Sequence, residues 1–306
     1  MDLVIVGSVG LDDVETPFGK VTFAPGGSAT FACLTAAFYA KTGFVGVVGD
    51  DWPEAVNDTL RSRGVNLDGL ERKEGKTFRW SGKYGFDLNS RDTLFTDLNV
   101  FADFDPVLPA AYRDVKFLFL GNIQPTLQWS VLEQAKGAQF VGLDTMNLWI
   151  EHTPDDLKKV LGRVNALLIN DSEARELSGE SNIVKAARAV SAMGPELVII
   201  KRGEYGALVY KEGEFFFVPA YPLESVVDPT GAGDCFAGGF MGYLAREGKT
   251  DWGTLCQAMV AGSALASFCV EDFSIRRLQE LDSAALEARI QQFRSLTHFG
   301  PLTPLG

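Results

Sequence analysis

The sequence predicts a three-layer α/β fold: one doubly wound, mostly parallel sheet with helices on both faces, and a small β-sheet lid beside it. Three observations predict it. Short apolar runs alternate with longer helical patterns along the chain, the order expected of βαβ units. The apolar runs are β-branched and continuous rather than alternating, as strands covered on both faces are. Two stretches break the rhythm with polar/aromatic alternation, the pattern of half-exposed strands.

Leu3–Val6, Thr42–Val48, Val115–Leu120, Gln139–Leu143, Ala166–Ile169 and Leu197–Ile200 read as the buried strands. Helical patterns run over Ala29–Tyr39, Pro53–Arg63, Leu127–Ala135, Asp155–Val164, Ile183–Met193 and Asp234–Glu247. The two half-exposed stretches are Glu15–Phe23 and Lys76–Phe101, the latter opening with Thr77-Phe78-Arg79-Trp80-Ser81. They place lid strands at about 13–24 and 76–101, either as a plain edge hairpin or as a cover over a substrate. Asp251–Phe268 and Asp282–Leu296 read as helices, and Phe299–Gly306, rich in Pro and Gly, as a frayed tail. No repeat, low-complexity block or Pro/Gly/Ser linker divides the chain, so residues 1–306 are expected to form one domain with the lid as an insert.

Of the 306 residues 46% are hydrophobic, enough for a large core. The net charge of −12 argues against nucleic acid or an anionic membrane as partner. Cys33, Cys235, Cys256 and Cys269 make no CxxC pair and fit buried apolar thiols in a reducing cytoplasm. His152 and His298 are the two histidines, which excludes a His-rich metal site and weighs against a Ser/His or Cys/His nucleophile. The chain opens directly on a strand, without the charged region and cleavage site of a signal peptide. No apolar run reaches the ~18 residues of a membrane span.

The most informative segment is Asp228-Pro229-Thr230-Gly231-Ala232-Gly233-Asp234. Phe236, Phe240 and Leu244 follow at helical spacing, so the segment leads into a helix N-terminus. Such a terminus offers free N–H groups and a partial positive charge. Gly231, Ala232 and Gly233 keep bulk away, so an anion can approach the backbone closely. Asp234 then stands ready to accept a proton, or simply complements the helix dipole. Gly238, Gly239 and Gly242 point to close backbone packing near a ligand or against another helix.

This segment resembles the signature of the ribokinase-like (PfkB) carbohydrate kinase family. Four further motifs stand in the family's order. Gly7-Ser8-Val9-Gly10-Leu11-Asp12 is similar to its first strand and sugar-binding Asp, and Gly26-Gly27-Ser28-Ala29 to its di-glycine element. Asn170-Asp171-Ser172-Glu173 is similar to its N-x-x-E motif, and Lys201-Arg202-Gly203-Glu204-Tyr205-Gly206 to the turn before its nucleotide site.

The resemblance implies an ATP-dependent kinase acting on a hydroxyl, expected to be a primary one, with ATP and Mg²⁺ and with K⁺ as a candidate activator. It implies Asp234 as general base and the Gly231, Ala232 and Gly233 backbone as anion hole. Asp12, Gly26 and Gly27 would bind the substrate; Asn122, after the strand ending at Leu120-Gly121, could replace a substrate contact where this chain departs from the family. Asn170, Glu173, Lys201, Gly203 and Gly206 would bind the nucleotide, Glu173 meeting Mg²⁺ through water. Asp228 and Thr230 would line a monovalent cation site. The lid strands would also form a homodimer contact.

Each assignment has a plainer competitor. Asp12 could start a turn and pair with Asp13 on the surface. Gly26-Gly27 could be a loop with Ser28 as N-cap. Asn170 and Glu173 could form a capping box. Ribose-using relatives carry Lys and Asn after the di-glycine, where this chain has Ser28 to Phe31, so ribose itself is disfavoured. Arg79 or Arg91 could meet an anionic substrate or be surface charges, and Phe31 could stack on a base or sit in the core.

Two rival motifs fail. Gly69–Thr77 has one residue too many for a phosphate-binding Walker loop. Gly7-Ser8-Val9-Gly10 lacks the third glycine of a dinucleotide fingerprint. The expectation is therefore a kinase of a sugar or sugar-like molecule. The alternatives are a nucleoside kinase of the same fold, or a catalytically silent sugar or nucleotide sensor.

Overall fold

A computed structural model describes residues 1–298 and 300. The tail expected to fray, Phe299–Gly306, lies outside the described residues apart from Gly300. The first part of the chain forms β1 (Leu3–Val6), β2 (Gly10–Thr16), β3 (Gly19–Gly26), α1 (Ser28–Ala36), β4 (Thr42–Val48), α2 (Glu54–Ser62) and β5 (Asn66–Arg72). Then come β6 (Phe78–Tyr84), β7 (Arg91–Asp97), β8 (Phe117–Leu120), α3 (Pro125–Gln134), β9 (Phe140–Asp144), α4 (Asn147–His152) and α5 (Pro154–Leu161). They are followed by β10 (Ala166–Asn170), α6 (Asp171–Ser178), α7 (Ile183–Ser191), β11 (Leu197–Lys201), β12 (Ala207–Lys211) and β13 (Glu214–Val218). The chain closes with α8 (Ala232–Glu247), α9 (Trp252–Cys269), α10 (Arg276–Glu280) and α11 (Ser283–Thr297).

The main sheet has nine strands in the order β13-β12-β11-β10-β9-β8-β1-β4-β5. It is parallel except at the β11–β12 and β12–β13 pairings. Successive residues of its strands feed opposite layers. Leu3, Ile5, Phe119, Leu168 and Ile199 pack on the side of α1, α8 and α9. Val4, Val6, Leu118, Leu120, Leu167 and Ile169 pack on the side of α3, α5 and α7. The edge strand β5 and the β12–β13 hairpin go beyond the strands read from the sequence; β5 lacks a continuous apolar run, whereas β12 and β13 carry short ones, at 207–210 and 215–218, that the sequence reading leaves out.

The second sheet has the order β3-β2-β6-β7. Its central pair, β2 with β6, is parallel, and the outer pairings are antiparallel. It starts at Gly10 rather than about 13 and takes in Gly26, so Asp12 and Gly26 belong to the lid itself. Val14 and Tyr84 of this sheet dock on Phe273 of the main body.

Gly238 and Gly242 of α8 lie against Ala32 and Ala36 of α1, and Gly239 lies against Gly262 of α9. These glycines therefore serve helix packing and are not among the residues lining the cavity. Chain order reverses at β1, which lies between β8 and β4. A crevice at the carboxyl ends of the strands is expected at such a point. Ser8, Asn122, Asp144, Asn170 and Lys201 all stand at or just after those ends.

Candidate active site

The N-terminus of α8 forms one end of the crevice. Gly231 caps it with φ 79°, a left-handed conformation. A Cβ there would also meet the Phe31 ring at 2.5 Å, so both backbone and space call for glycine. Phe31 is 1% exposed. It is core beneath the loop and is not available to stack on a base.

Ala232 N–H already donates to Pro229 O at 3.2 Å. That departs from the expected hole of three free amides. Among the described residues, the N–H groups of Gly231, Gly233 and Asp234 have no acceptor within the chain. They are the donors left for an anion.

Beside them Lys201 Nζ donates to Asp144 Oδ2 at 2.8 Å, a pair largely shielded from water. A Cβ on Gly233 would stand 3.0 Å from that ammonium. Burial pulls the Lys201 pKa down, but the charge and hydrogen bond of Asp144 prevail and hold it above its usual value. Asp234 is half-buried in the crevice. Desolvation, then the charge of Asp144, pushes its carboxyl up to about 7 against the opposing pull of Lys201 and Arg91. A carboxyl near 7 is well matched to proton transfer at neutral pH.

Asp12 is 6% exposed, and its carboxyl has no hydrogen-bond partner among the described residues. Burial, then Asp228, Asp234 and Asp13, pushes it up to about 8, with Arg91 opposing. A Cβ on Gly26 would fall 2.0 Å from Asp12 Oδ2, so this glycine makes room for the carboxyl. Asp13 points the other way. It accepts from Phe23 N–H at 2.8 Å and from Arg79 at 2.6 Å. Arg79 also lies over the Phe23 ring. Arg79 is thus a structural cation of the lid, and Asp12 and Asp13 do not form a surface pair.

Gly27, not Ser28, is the N-cap of α1. Ser28 instead exchanges hydrogen bonds with Ser8, each backbone N–H donating to the other's Oγ at 3.1 Å. That clamp ties the end of β1 to the start of α1. Asn122 is held on the other side of the crevice. Its Oδ1 accepts from Trp149 Nε1 at 2.8 Å and its amide donates to Met146 Sδ.

Asn170 and Glu173 do form a capping box at the start of α6. Burial and Asp144 nonetheless push Glu173 up to about 7, with the Asn170 N–H, Lys201 and Arg91 opposing. The plainer competitor is therefore realised, yet the carboxyl stays electrostatically tied to the crevice.

Asp228 is buried. It accepts from Thr230 N–H at 2.8 Å and Ser274 N–H at 3.3 Å, and burial raises its pKa. It has no cationic side chain paired with it among the described residues. Thr230 Oγ1 donates to the Tyr84 hydroxyl at 3.1 Å, tying this loop to the lid.

A cavity of about 640 Å³ continues from Gly233, Ala232 and Lys201 past Gly203 and Gly206 to Ser263 and Val270. Among the described residues no cluster of three His, Cys, Asp or Glu side chains forms a ready metal cage. No helix among them is long and apolar enough to cross a membrane. The main residue that sequence reasoning missed is Asp144. Its one signal is its place as a carboxylate at the carboxyl end of a buried strand run.

Residues 4–280 match the family described as pfkB family carbohydrate kinase. The chain is 34% identical over 253 residues to a cytidine kinase of Thermococcus kodakarensis, covering 80% of this chain and 89% of that one. It is 27% identical over 287 residues to a fructokinase of Klebsiella pneumoniae, covering 87% and 90% respectively. Among solved structures, the aminoimidazole riboside kinase of Salmonella enterica, complexed with aminoimidazole riboside and an ATP analogue, superposes with a TM-score of 0.72. That likeness spans 94% of this chain and 99% of that one at 22% identity.

Proposed function

Because the chain belongs to the pfkB family of carbohydrate kinases and is a phosphotransferase acting on a hydroxyl, we propose that it transfers the γ-phosphoryl of ATP to a primary hydroxyl of a sugar or sugar-like molecule. One observation carries this reading. The free amide of Gly233 and the Lys201 ammonium line one end of a nucleotide-sized cavity, and the Asp234 carboxyl, next along the chain from Gly233, feels the charges of Lys201 and Asp144.

Asp12 and the Gly26-Gly27 backbone hold the acceptor, with Asn122 on the far side. Asp234 takes the proton from the attacking hydroxyl as its oxygen bonds to the γ-phosphorus. The bond from that phosphorus to the bridging oxygen breaks, and its electron pair leaves with ADP. The free amides and Lys201 receive the charge that gathers on the phosphoryl oxygens. The lid excludes water, which would otherwise accept the phosphoryl group.

Asn170 and Glu173 would hold Mg²⁺ through water, and Mg²⁺ supplies charge neutralisation at the phosphate oxygens. The donor set fits such a cation, because Asp144 raises both Glu173 and Asp234 by repulsion. Asp228 and Thr230 would hold K⁺. A buried carboxyl with a raised pKa and no cationic side chain beside it fits that ion. Four free cysteines agree with action in a reducing cytoplasm. A second copy of the chain is the proposed partner of the lid, where Phe23 and Leu94 stand exposed.

A second reading is favoured by the cytidine kinase relative: the acceptor is the ribose hydroxyl of a nucleoside. A coupled ADP-release screen over sugars and nucleosides tests both. Turnover with one class names the acceptor, and no Asp234-dependent turnover with either would sink the proposal.

A further inference from the structure

The lid is expected to cover the acceptor, yet its two hairpin tips reach the other half of the crevice. Phe18 from the β2–β3 turn and Phe86, Asp87, Leu88 and Asn89 from the β6–β7 turn line the same cavity as Gly233 and Lys201. Phe86 is 93% and Phe18 62% exposed. Two rings thus border a cavity without packing on the protein, which leaves their faces free for a planar occupant.

The β6–β7 tip is held in shape. Gly85 N–H donates to Ser90 O at 3.0 Å, and Leu88 N–H to Gly85 O at 3.1 Å. Asp87 Oδ1 accepts from Asn89 N–H at 3.1 Å and from Ser90 Oγ at 3.3 Å. Leu88 has φ 58°, a costly conformation for a side chain of this size. It is retained while the leucine packs against the cluster of Val14, Tyr84 and Phe273. This anchor brings Asn89 to the nucleotide-side turn, where a Cβ on Gly203 would come within 3.1 Å of Asn89 Oδ1.

We infer that the lid tip 85–90 is a wall of the nucleotide pocket, and that Phe86 stacks on the adenine ring of the bound nucleotide. The inference rests on the kinase reading, because the phosphate end of the cavity is fixed by Gly233 and Lys201. It has a consequence for closure. Arg91 directly follows the tip and Tyr84 directly precedes it on strands β7 and β6. A nucleotide that grips the tip therefore also sets the lid over the acceptor before chemistry.

The test is equilibrium binding of Mg-ADP to the full chain by titration calorimetry. Phe86→Ala should weaken binding by about 5- to 100-fold, the range that a stacked base contributes. Phe86→Trp should retain it, and Asn89→Ala should weaken it by a smaller factor. Because Phe86 is exposed, its removal leaves the fold intact, which the circular dichroism melt checks. ADP binding by Phe86→Ala within about twofold of wild type would overturn the inference. A wild-type chain that binds no adenine nucleotide would overturn the kinase reading and this inference together, a different result from an unchanged variant.

Discussion

Lys201 Nζ sits 2.8 Å from Asp144 Oδ2, although 57 residues separate the two in sequence. Strands β9 and β11, the two neighbours of β10, bring them together at the carboxyl ends of the sheet. The pair fixes a cation beside Gly233 and leaves a carboxylate close enough to raise Asp234. Charge placement here thus comes from the sheet, whereas the amides come from α8. The proposed catalytic end is assembled from two independent parts of the fold.

The first prediction follows from the sign of that coupling. Asp144 raises the Asp234 carboxyl, whereas Lys201 lowers it. In Asp144→Asn the repulsion is gone and the lysine is left unneutralised, so both changes lower the Asp234 pKa. The acid limb of kcat/KM, expected near pH 7 in wild type, should move to lower pH. A limb that stays in place or moves up would show that Asp144 does not act on the titrating group.

Asp234→Asn keeps shape and removes the proton acceptor. The turnover number should fall by ~10²–10⁴, the usual contribution of a positioned base. Mg-ADP affinity, measured separately, should change little, because the amides of Gly231 and Gly233 remain. Near-normal turnover would remove Asp234 from the role assigned to it.

Arg91 is exposed and makes no ion pair among the described residues, yet its charge pulls Asp12, Asp234 and Glu173 downwards. Of the two lid arginines weighed from the sequence, Arg79 is committed to Asp13, and Arg91 faces the acids. Arg91→Met should shift the acid limb to higher pH, opposite to Asp144→Asn. Stability should stay within ~0.5 kcal/mol, as at most exposed positions. Equal shifts in the same direction for both variants would refute the electrostatic assignment.

The main sheet was legible because strands buried on both faces write unbroken apolar runs, as in Leu197–Ile200. β5 was not, because Asn66–Arg72 alternates charge with half-buried leucines at a sheet edge. The start of the lid was hidden for a related reason. Gly10-Leu11-Asp12 reads as a turn after β1, and its pairing with Phe78–Trp80 is a tertiary event. At the site, residues joined by local backbone geometry were readable, as in Gly231–Asp234. Asp144 was not, since its meaning depends on a lysine that only the sheet brings near.

Asp12→Asn should make the protein more stable and less active. The free carboxyl titrates at 3.8, and in the folded chain at about 8. The folded state therefore binds this proton more tightly. The group's contribution is most favourable below pH ~4 and is lost as the pH rises towards 8. At neutral pH and above, folding must either keep the carboxyl protonated or bury a charge beside Asp228 and Asp234. An amide avoids both costs, so denaturant unfolding at pH 8 should show a gain of about 1–3 kcal/mol that shrinks towards pH 5. The same change removes the carboxylate proposed to hold the acceptor, so KM for the true acceptor should rise while Mg-ADP binding is kept. A gain over wild type that is no larger at pH 8 than at pH 5 would mean that Asp12 is hydrated or paired in solution and does not stand strained in the crevice.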